Sequence, residues 1–169
     1  RIFVERKIYE KFKADFVAKR KAMIVGNPAD EKTRIGAIVS KMHQEKVLSY
    51  IELAKTEGGT VLCGGKKFSA PGELSEGYYI EPTIIEGLKY DCRTNQEEIF
   101  GPVVTITPFD TEEEALMMAN STIYGLASVV WTQDLTRAHR LANNIHAGIV
   151  WINCWLLRDL RTPFGGVKA

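Results

Sequence analysis

The sequence predicts an α/β fold in which helices cover a largely parallel sheet. In the second half of the chain, strand patterns alternate with helix patterns across short joints, and this order requires parallel strands joined by right-handed crossovers. The 169 residues include 45% hydrophobic and 25% charged residues, as in ordinary globular domains. A chain of this length suits one domain that buries a core of its own.

The first third of the chain predicts a strand followed by two helices. Residues 2–4 are apolar and predict the opening strand. A helix that ends near Met23 is predicted from an apolar stripe that recurs every four positions among basic residues: Ile8, Phe12 and Phe16. A second helix is predicted over 42–56, where apolar residues follow the i, i+3, i+4, i+7 spacing. Residues 28–40 show no clear period and predict a connection.

Short strands and a loop are predicted next. Residues 60–63 predict a strand between two Gly-Gly pairs. Residues 66–77 carry Ser, Pro, Gly and charge, which is typical of an exposed loop. Residues 78–86 are apolar and β-branched around Pro82. They predict a strand at the edge of the sheet, because proline cannot donate a hydrogen bond to a neighbouring strand.

Beyond residue 102 the pattern becomes regular. Thr111 and Glu114 are spaced as a capping box, which predicts the first turn of a helix. The predicted elements, in order, are a strand over 103–107, a helix over 111–120, a strand over 125–132, a helix over 134–146 and a strand over 148–153.

Charge and cysteine content exclude several function classes. The formal net charge of +1 gives no electrostatic argument for binding nucleic acid or an anionic membrane surface. No apolar run approaches the roughly 20 residues that span a bilayer. Cys63, Cys92 and Cys154 are widely spaced and show no metal-ligand pattern, and the three histidines show none either. Free thiols in a reducing, cytoplasmic compartment are therefore predicted.

The stretch Gln-Glu-Glu-Ile-Phe-Gly-Pro-Val at 96–103 is the most informative part of the sequence. Two adjacent carboxylates precede an apolar pair, a Gly-Pro turn and then a predicted buried strand. A tight turn into a strand can hold polar side chains rigidly at the edge of a site. The alternative interpretation is an ordinary charged loop.

This motif resembles the signature that precedes a strand of the catalytic domain in the aldehyde dehydrogenase superfamily. The resemblance extends over essentially the entire chain in the family's order, with further matches at Gly26-Asn27-Pro28, Gly64-Gly65, 78–83, 120–126, Ile152-Asn153-Cys154 and 162–168. It implies a parallel-sheet, three-layer catalytic domain and NAD as the cofactor. It also implies that Glu98 holds the hydroxyls of the nicotinamide ribose and that Phe100 packs near the nicotinamide.

The resemblance further implies that residues 1–169 are a catalytic-domain fragment, truncated at both ends. The family's nucleophilic Cys lies a few residues before the position where this chain begins, and the general-base Glu, the oxyanion-hole Asn and the Rossmann domain lie further upstream. The chain by itself is therefore expected to be inactive. Cys154 is expected to be a passive packed thiol, because no neighbouring His or Lys would stabilise its thiolate.

Residues 155–161 correspond to the family's substrate loop, and they contain Arg158 and Arg161. Guanidinium groups recognise carboxylates through two parallel hydrogen bonds. The loop most resembles that of family members whose substrates are semialdehydes with a distal carboxylate, and there the Arg matching Arg158 binds that carboxylate. Phe164, in the recurring Pro-Phe-Gly-Gly, is expected to contact the substrate. The alternative is that both arginines are solvated or serve a subunit contact.

Three functions remain open at this point. The first is an NAD-dependent dehydrogenase for a carboxylated semialdehyde, and the second is the same enzyme class acting on a neutral or cationic aldehyde. The third is a module without catalysis that contributes packing or subunit contacts. By resemblance, the expected partners are a small aldehyde and further copies of the chain in a dimer or tetramer, without nucleic acid or membrane.

Overall fold

The computed structural model describes residues 1–169, which form two compact units, Arg1–Phe109 and Asp110–Ala169. The elements of the first unit are β1 (Ile2–Glu5), α1 (Arg6–Lys21), β2 (Ile24–Val25), β3 (Thr33–Ile35), α2 (Lys41–Thr56), β4 (Thr60–Cys63), β5 (Lys67–Phe68), β6 (Tyr79–Ile80), β7 (Thr83–Glu86), α3 (Arg93–Gln96) and β8 (Val103–Phe109), with a 3₁₀ turn at Gly72–Leu74.

The first unit is built on a four-stranded sheet in the order β1-β8-β7-β4. β1, β8 and β7 run parallel, as predicted, whereas β4 pairs antiparallel with β7 at the edge. Two small ladders accompany the sheet. β2 pairs parallel with β3, and β5 pairs antiparallel with β6.

Helices cover both faces of this sheet, and strand alternation explains why. Ile84 and Ile85 are adjacent on β7, so their side chains point to opposite faces. Ile84 packs with Tyr9 of α1, and Ile85 packs with Ala54 of α2. Both isoleucines are at most 1% exposed, and burial of each contributes about 1.5–3 kcal/mol. The predicted three-layer arrangement is confirmed for this unit.

The prediction of one edge strand over 78–86 is wrong. Pro82 divides the segment into β6 and β7, because its nitrogen has no hydrogen to donate to a ladder. β7 then lies in the middle of the sheet between β8 and β4, and Thr83, Ile84 and Ile85 are buried. The predicted connection and loop also contain short elements, namely β3 in the first and β5 with the 3₁₀ turn in the second.

The second unit contains α4 (Glu112–Asn120), β9 (Ala127–Val130), α5 (Leu135–Asn144) and β10 (Ile149–Ile152). β9 and β10 pair parallel, with α5 as the connection between them. Thr111 caps α4 as predicted, since its hydroxyl accepts from the Glu114 N–H at 3.1 Å. The Glu114 carboxylate in turn accepts from the Asp110 N–H rather than from that of Thr111.

Candidate functional site

The candidate site in the first unit lies on the loop formed by residues 97–102, which joins α3 to β8. Glu98 is exposed on this loop. Its backbone carbonyl accepts from Lys46 Nζ at 3.1 Å, but its carboxylate makes no hydrogen bond or ion pair within the chain. Glu98 therefore offers a full set of acceptor sites to an external ligand.

The neighbouring carboxylate, Glu97, is fully engaged. It accepts from Arg93 Nε at 2.7 Å and Arg93 Nη2 at 3.1 Å, and from the hydroxyl of Tyr50 at 2.5 Å. The pKa of Glu97 is lowered to about 2, mainly by the hydrogen bonds from Arg93 and to a smaller extent by the one from Tyr50. The two adjacent acids therefore differ in their contacts. The Glu97 carboxylate anchors the loop, and only the Glu98 carboxylate has no hydrogen bond within the chain.

Phe100 adopts an uncommon backbone conformation, with φ at 59°. For a bulky residue this left-handed conformation costs of order 1–3 kcal/mol and is frequent at ligand-binding sites. The side chain is 74% exposed, so internal packing of the ring offsets little of the strain. An aromatic face held out beside the free Glu98 carboxylate suits a ligand that has hydroxyl groups and a flat ring.

The loop approaches α2 so closely that residue 101 must be glycine. A Cβ on Gly101 would lie 2.6 Å from Cγ2 of Val47, a fully buried residue of α2. Ile99 packs into the same apolar cluster. The loop is therefore anchored by its apolar residue while Glu98 and Phe100 point outward.

The low pKa of Glu97 gives a prediction on acid stability. Its value of about 2 in the fold lies below the ordinary 4.5, so this carboxylate stabilises the fold at every pH above about 4.5. The contribution is lost as pH falls from about 4.5 through about 2. We expect an NMR titration of the Glu97 side-chain carboxyl carbon to show it ionised at pH 4. A midpoint at the ordinary glutamate value would contradict the Arg93 and Tyr50 contacts.

A second group of predicted residues lies in the second unit. The Arg158 guanidinium stacks on the Phe164 ring, with Cζ 4.5 Å from the ring centroid. Both line a recess of about 90 Å³ together with Trp151 and Leu157. The indole N–H of Trp151 donates to the Leu157 carbonyl at 2.9 Å, which holds the loop against β10.

The two arginines of this loop differ in their contacts. Arg161 is paired with Asp159 through Nε at 2.9 and 3.1 Å and through Nη2 at 2.5 Å. Arg158 forms no ion pair or hydrogen bond, and only the face of its guanidinium is occupied. Its N–H edges are therefore available to an incoming carboxylate, whereas the Nε–Nη2 edge of Arg161 is occupied by Asp159.

The sequence did not predict the contacts that two residues of α2 make near Glu98. The sequence predicts no metal-ligand pattern that includes His43, and the structure places its Nε2 2.6 Å from the Phe100 carbonyl oxygen. Lys46 binds the Glu98 carbonyl. The sequence pattern that could have revealed them is polar periodicity, because positions 43, 46 and 50 lie on one side of a helix. The apolar periodicity that predicts this helix contains no information on these polar contacts.

The chain shows no metal centre, and its cysteines are free thiols. No group of three or more His, Cys, Asp or Glu residues is arranged to hold a metal ion. The three cysteines are free and half-buried, and burial raises the pKa of the Cys92 thiol, which makes it a poor nucleophile. No helix combines the length and the apolar character needed to cross a membrane.

Comparisons with known proteins give a family match over the whole chain. The model of the aldehyde dehydrogenase family matches residues 1–169. The 2-aminomuconic semialdehyde dehydrogenase of Mus musculus is 47% identical over 100% of this chain and 35% of its own length. The 4-trimethylaminobutyraldehyde dehydrogenase A of Danio rerio is 48% identical over 99% of this chain and 33% of its own.

Solved structures give the same picture of the fold. An NAD+ complex of aldehyde dehydrogenase from Bacillus cereus superposes with a TM-score of 0.91 at 43% identity, over 98% of this chain and 33% of that one. The chain therefore spans about a third of the length of the relatives that it matches.

Proposed function

Because the chain belongs to the aldehyde dehydrogenase family, we propose that it forms part of the catalytic domain of a longer enzyme that oxidises an aldehyde to a carboxylic acid with NAD. The observation that carries this proposal is the free carboxylate of Glu98, which lies next to the fully engaged Glu97 carboxylate on the 97–102 loop. Because Tyr50 and Arg93 occupy Glu97, Glu98 is the acid of this pair that can accept hydrogen bonds from a ligand.

Glu98 and Phe100 are the residues of this chain that would hold the nicotinamide end of NAD. A carboxylate can accept hydrogen bonds from both hydroxyls of one ribose, and these charge-assisted bonds are short and directional. The exposed Phe100 ring gives the flat nicotinamide a face to pack against. When bound, NAD supplies the hydride acceptor. The task of Glu98 and Phe100 is to fix its position, since small misplacements slow hydride transfer strongly.

We propose that the substrate is a semialdehyde with a distal carboxylate, namely 2-aminomuconate semialdehyde from tryptophan (kynurenine) breakdown. Arg158 supports this assignment, because its N–H edges are free while its face rests on Phe164. Stacking on an aromatic ring restricts the guanidinium to one plane and so prepares it for two-point recognition of a carboxylate. The similarity to 2-aminomuconic semialdehyde dehydrogenase of Mus musculus supports the same choice.

A second candidate substrate is an aldehyde without a carboxylate. It is favoured by the equal similarity to 4-trimethylaminobutyraldehyde dehydrogenase A of Danio rerio. With such a substrate the Arg158 guanidinium would face solvent or a subunit contact, and its charge would oppose a cationic group.

We also propose that the enzyme works in the cytoplasm as a homo-oligomer. Three free thiols support a reducing compartment. The exposed apolar side chains of the second unit, which include Trp131, Leu157 and Leu160, support contacts with further protein surface.

The test is a substrate panel with the full-length protein. We expect NADH formation with a semialdehyde that carries a distal carboxylate, and a lower kcat/KM with a neutral aldehyde of equal length and with a trimethylammonium aldehyde. A preference for either of the latter two would reject the carboxylated substrate and keep the enzyme class. Absence of NADH formation with all three aldehydes would favour a module without catalysis.

A further inference from the structure

Three side chains on one side of α2 form hydrogen bonds with three residues of the 97–102 loop. Tyr50 binds the Glu97 carboxylate, Lys46 binds the Glu98 carbonyl and His43 binds the Phe100 carbonyl. These three positions follow the i, i+3, i+7 spacing of a single helix face. These contacts with α2 therefore help to fix the conformation of the loop, in addition to its own sequence.

We propose that His43 is a positioning residue that acts through the Phe100 backbone to hold Glu98 and Phe100 in place for the cofactor. This inference rests on the proposed function of Glu98. Of the three contacts, the one from His43 is made at the residue whose backbone is strained, with φ at 59°. A donor fixed to the Phe100 carbonyl sets the orientation of that peptide group and selects the strained conformation over relaxed ones.

The geometry of the contact is specific. A carbonyl oxygen only accepts, so Nε2 of His43 must carry the hydrogen at its distance of 2.6 Å. The imidazole ring also meets the Phe100 ring edge to face, with 6.1 Å between the centroids. His43 thus contacts both the backbone and the side chain of Phe100, whereas Lys46 reaches the loop only through the end of a flexible stem.

The role of His43 is separable from the stability of α2. The buried face of this helix consists of Gln44, Val47, Ile51 and Ala54, and His43 is only half-buried. Its truncation therefore leaves no cavity in the core. The change should act on the loop, while the helix and its packing against the sheet remain.

The experiment compares two His43 variants of the full-length enzyme. We expect His43→Ala to lower kcat roughly 10-fold with a much smaller change in the KM for NAD, because misplaced reacting groups slow the chemical step. His43→Gln should recover most of the turnover, since its amide N–H can donate to the same carbonyl. His139→Ala is the matched control, because His139 is an exposed histidine on α5.

A second readout does not depend on activity. In the protein without NAD, amide hydrogen exchange across residues 97–103 should be faster in His43→Ala than in wild type or His43→Gln, while exchange in α2 is unchanged. Equal exchange and turnover in His43→Ala and wild type would overturn the inference. Failure of His43→Gln to recover turnover would overturn it as well, because the donor would then not be the group that matters.

A parallel Glu98→Gln variant separates this inference from the proposed function. If Glu98→Gln loses turnover and His43→Ala does not, the positioning role is wrong and the proposed function stands. If neither variant loses turnover, both are wrong. If both lose turnover, the double variant should lose less than the product of the single effects, since His43 acts through the loop that carries Glu98. Independent effects would contradict the positioning role.

Discussion

Replacing Arg158 by alanine in the full-length enzyme should lower kcat/KM for a semialdehyde with a distal carboxylate by a factor of about 30 to several thousand. Removal of one partner from a charge pair that binding takes out of water typically costs about 2–5 kcal/mol. The Phe164 ring already shields one face of the guanidinium from water. The measurement is steady-state kinetics on the carboxylated substrate and on a neutral aldehyde of equal length.

The difference between the losses on carboxylated and neutral aldehydes shows whether Arg158 recognises the substrate or supports the loop. The neutral aldehyde never uses the guanidinium, so its kcat/KM should change little or rise. Arg158→Lys should recover only part of the loss, because an ammonium cannot make the planar two-point contact. Arg161→Ala is the matched control and should have the smaller effect, since Arg161 is committed to Asp159. Equal losses on both aldehydes in Arg158→Ala would show that Arg158 supports the loop.

The second large effect is expected at Glu98. Glu98→Gln keeps the size of the side chain but removes the charge that strengthens its hydrogen bonds to the ribose hydroxyls. We expect kcat to fall roughly 10-fold or more, with a smaller change in the affinity for NAD, because the contact mainly positions the reacting ring. Glu45→Gln, the same change at an exposed position on α2, serves as the control. Steady-state kinetics and calorimetric titration with NAD measure the two quantities.

Much of the fold could be predicted from periodicity, because the helices and the parallel strands bury regular apolar faces. α2 and the α4 capping residue Thr111 are where the sequence places them. The order of the strands in the centre of the sheet was harder to predict from the sequence. Pro82 correctly indicates a break in a ladder, but only the pairing partners decide whether the strand after the break lies at an edge or, as β7 does, in the middle.

The candidate site shows a similar limit. The motif at 96–103 and the family resemblance predict roles for Glu98 and Phe100, but local sequence patterns do not show which of the two adjacent acids lacks a partner within the chain. That depends on Tyr50, which lies 47 positions away from Glu97, and on Arg93. The contact of His43 with Phe100 spans 57 positions. Local patterns do not contain such information, because it arises when the loop packs against α2.

The most direct test of the role of Glu98 is the rate of NADH formation in a single turnover. Wild type, Glu98→Gln and Glu45→Gln would be mixed, as full-length enzymes saturated with NAD, with a carboxylated semialdehyde below the enzyme concentration. If Glu98 positions the nicotinamide for hydride transfer, this rate should fall roughly 10-fold or more in Glu98→Gln alone. A Glu98→Gln rate equal to that of wild type would contradict the assignment of Glu98 to the nicotinamide ribose.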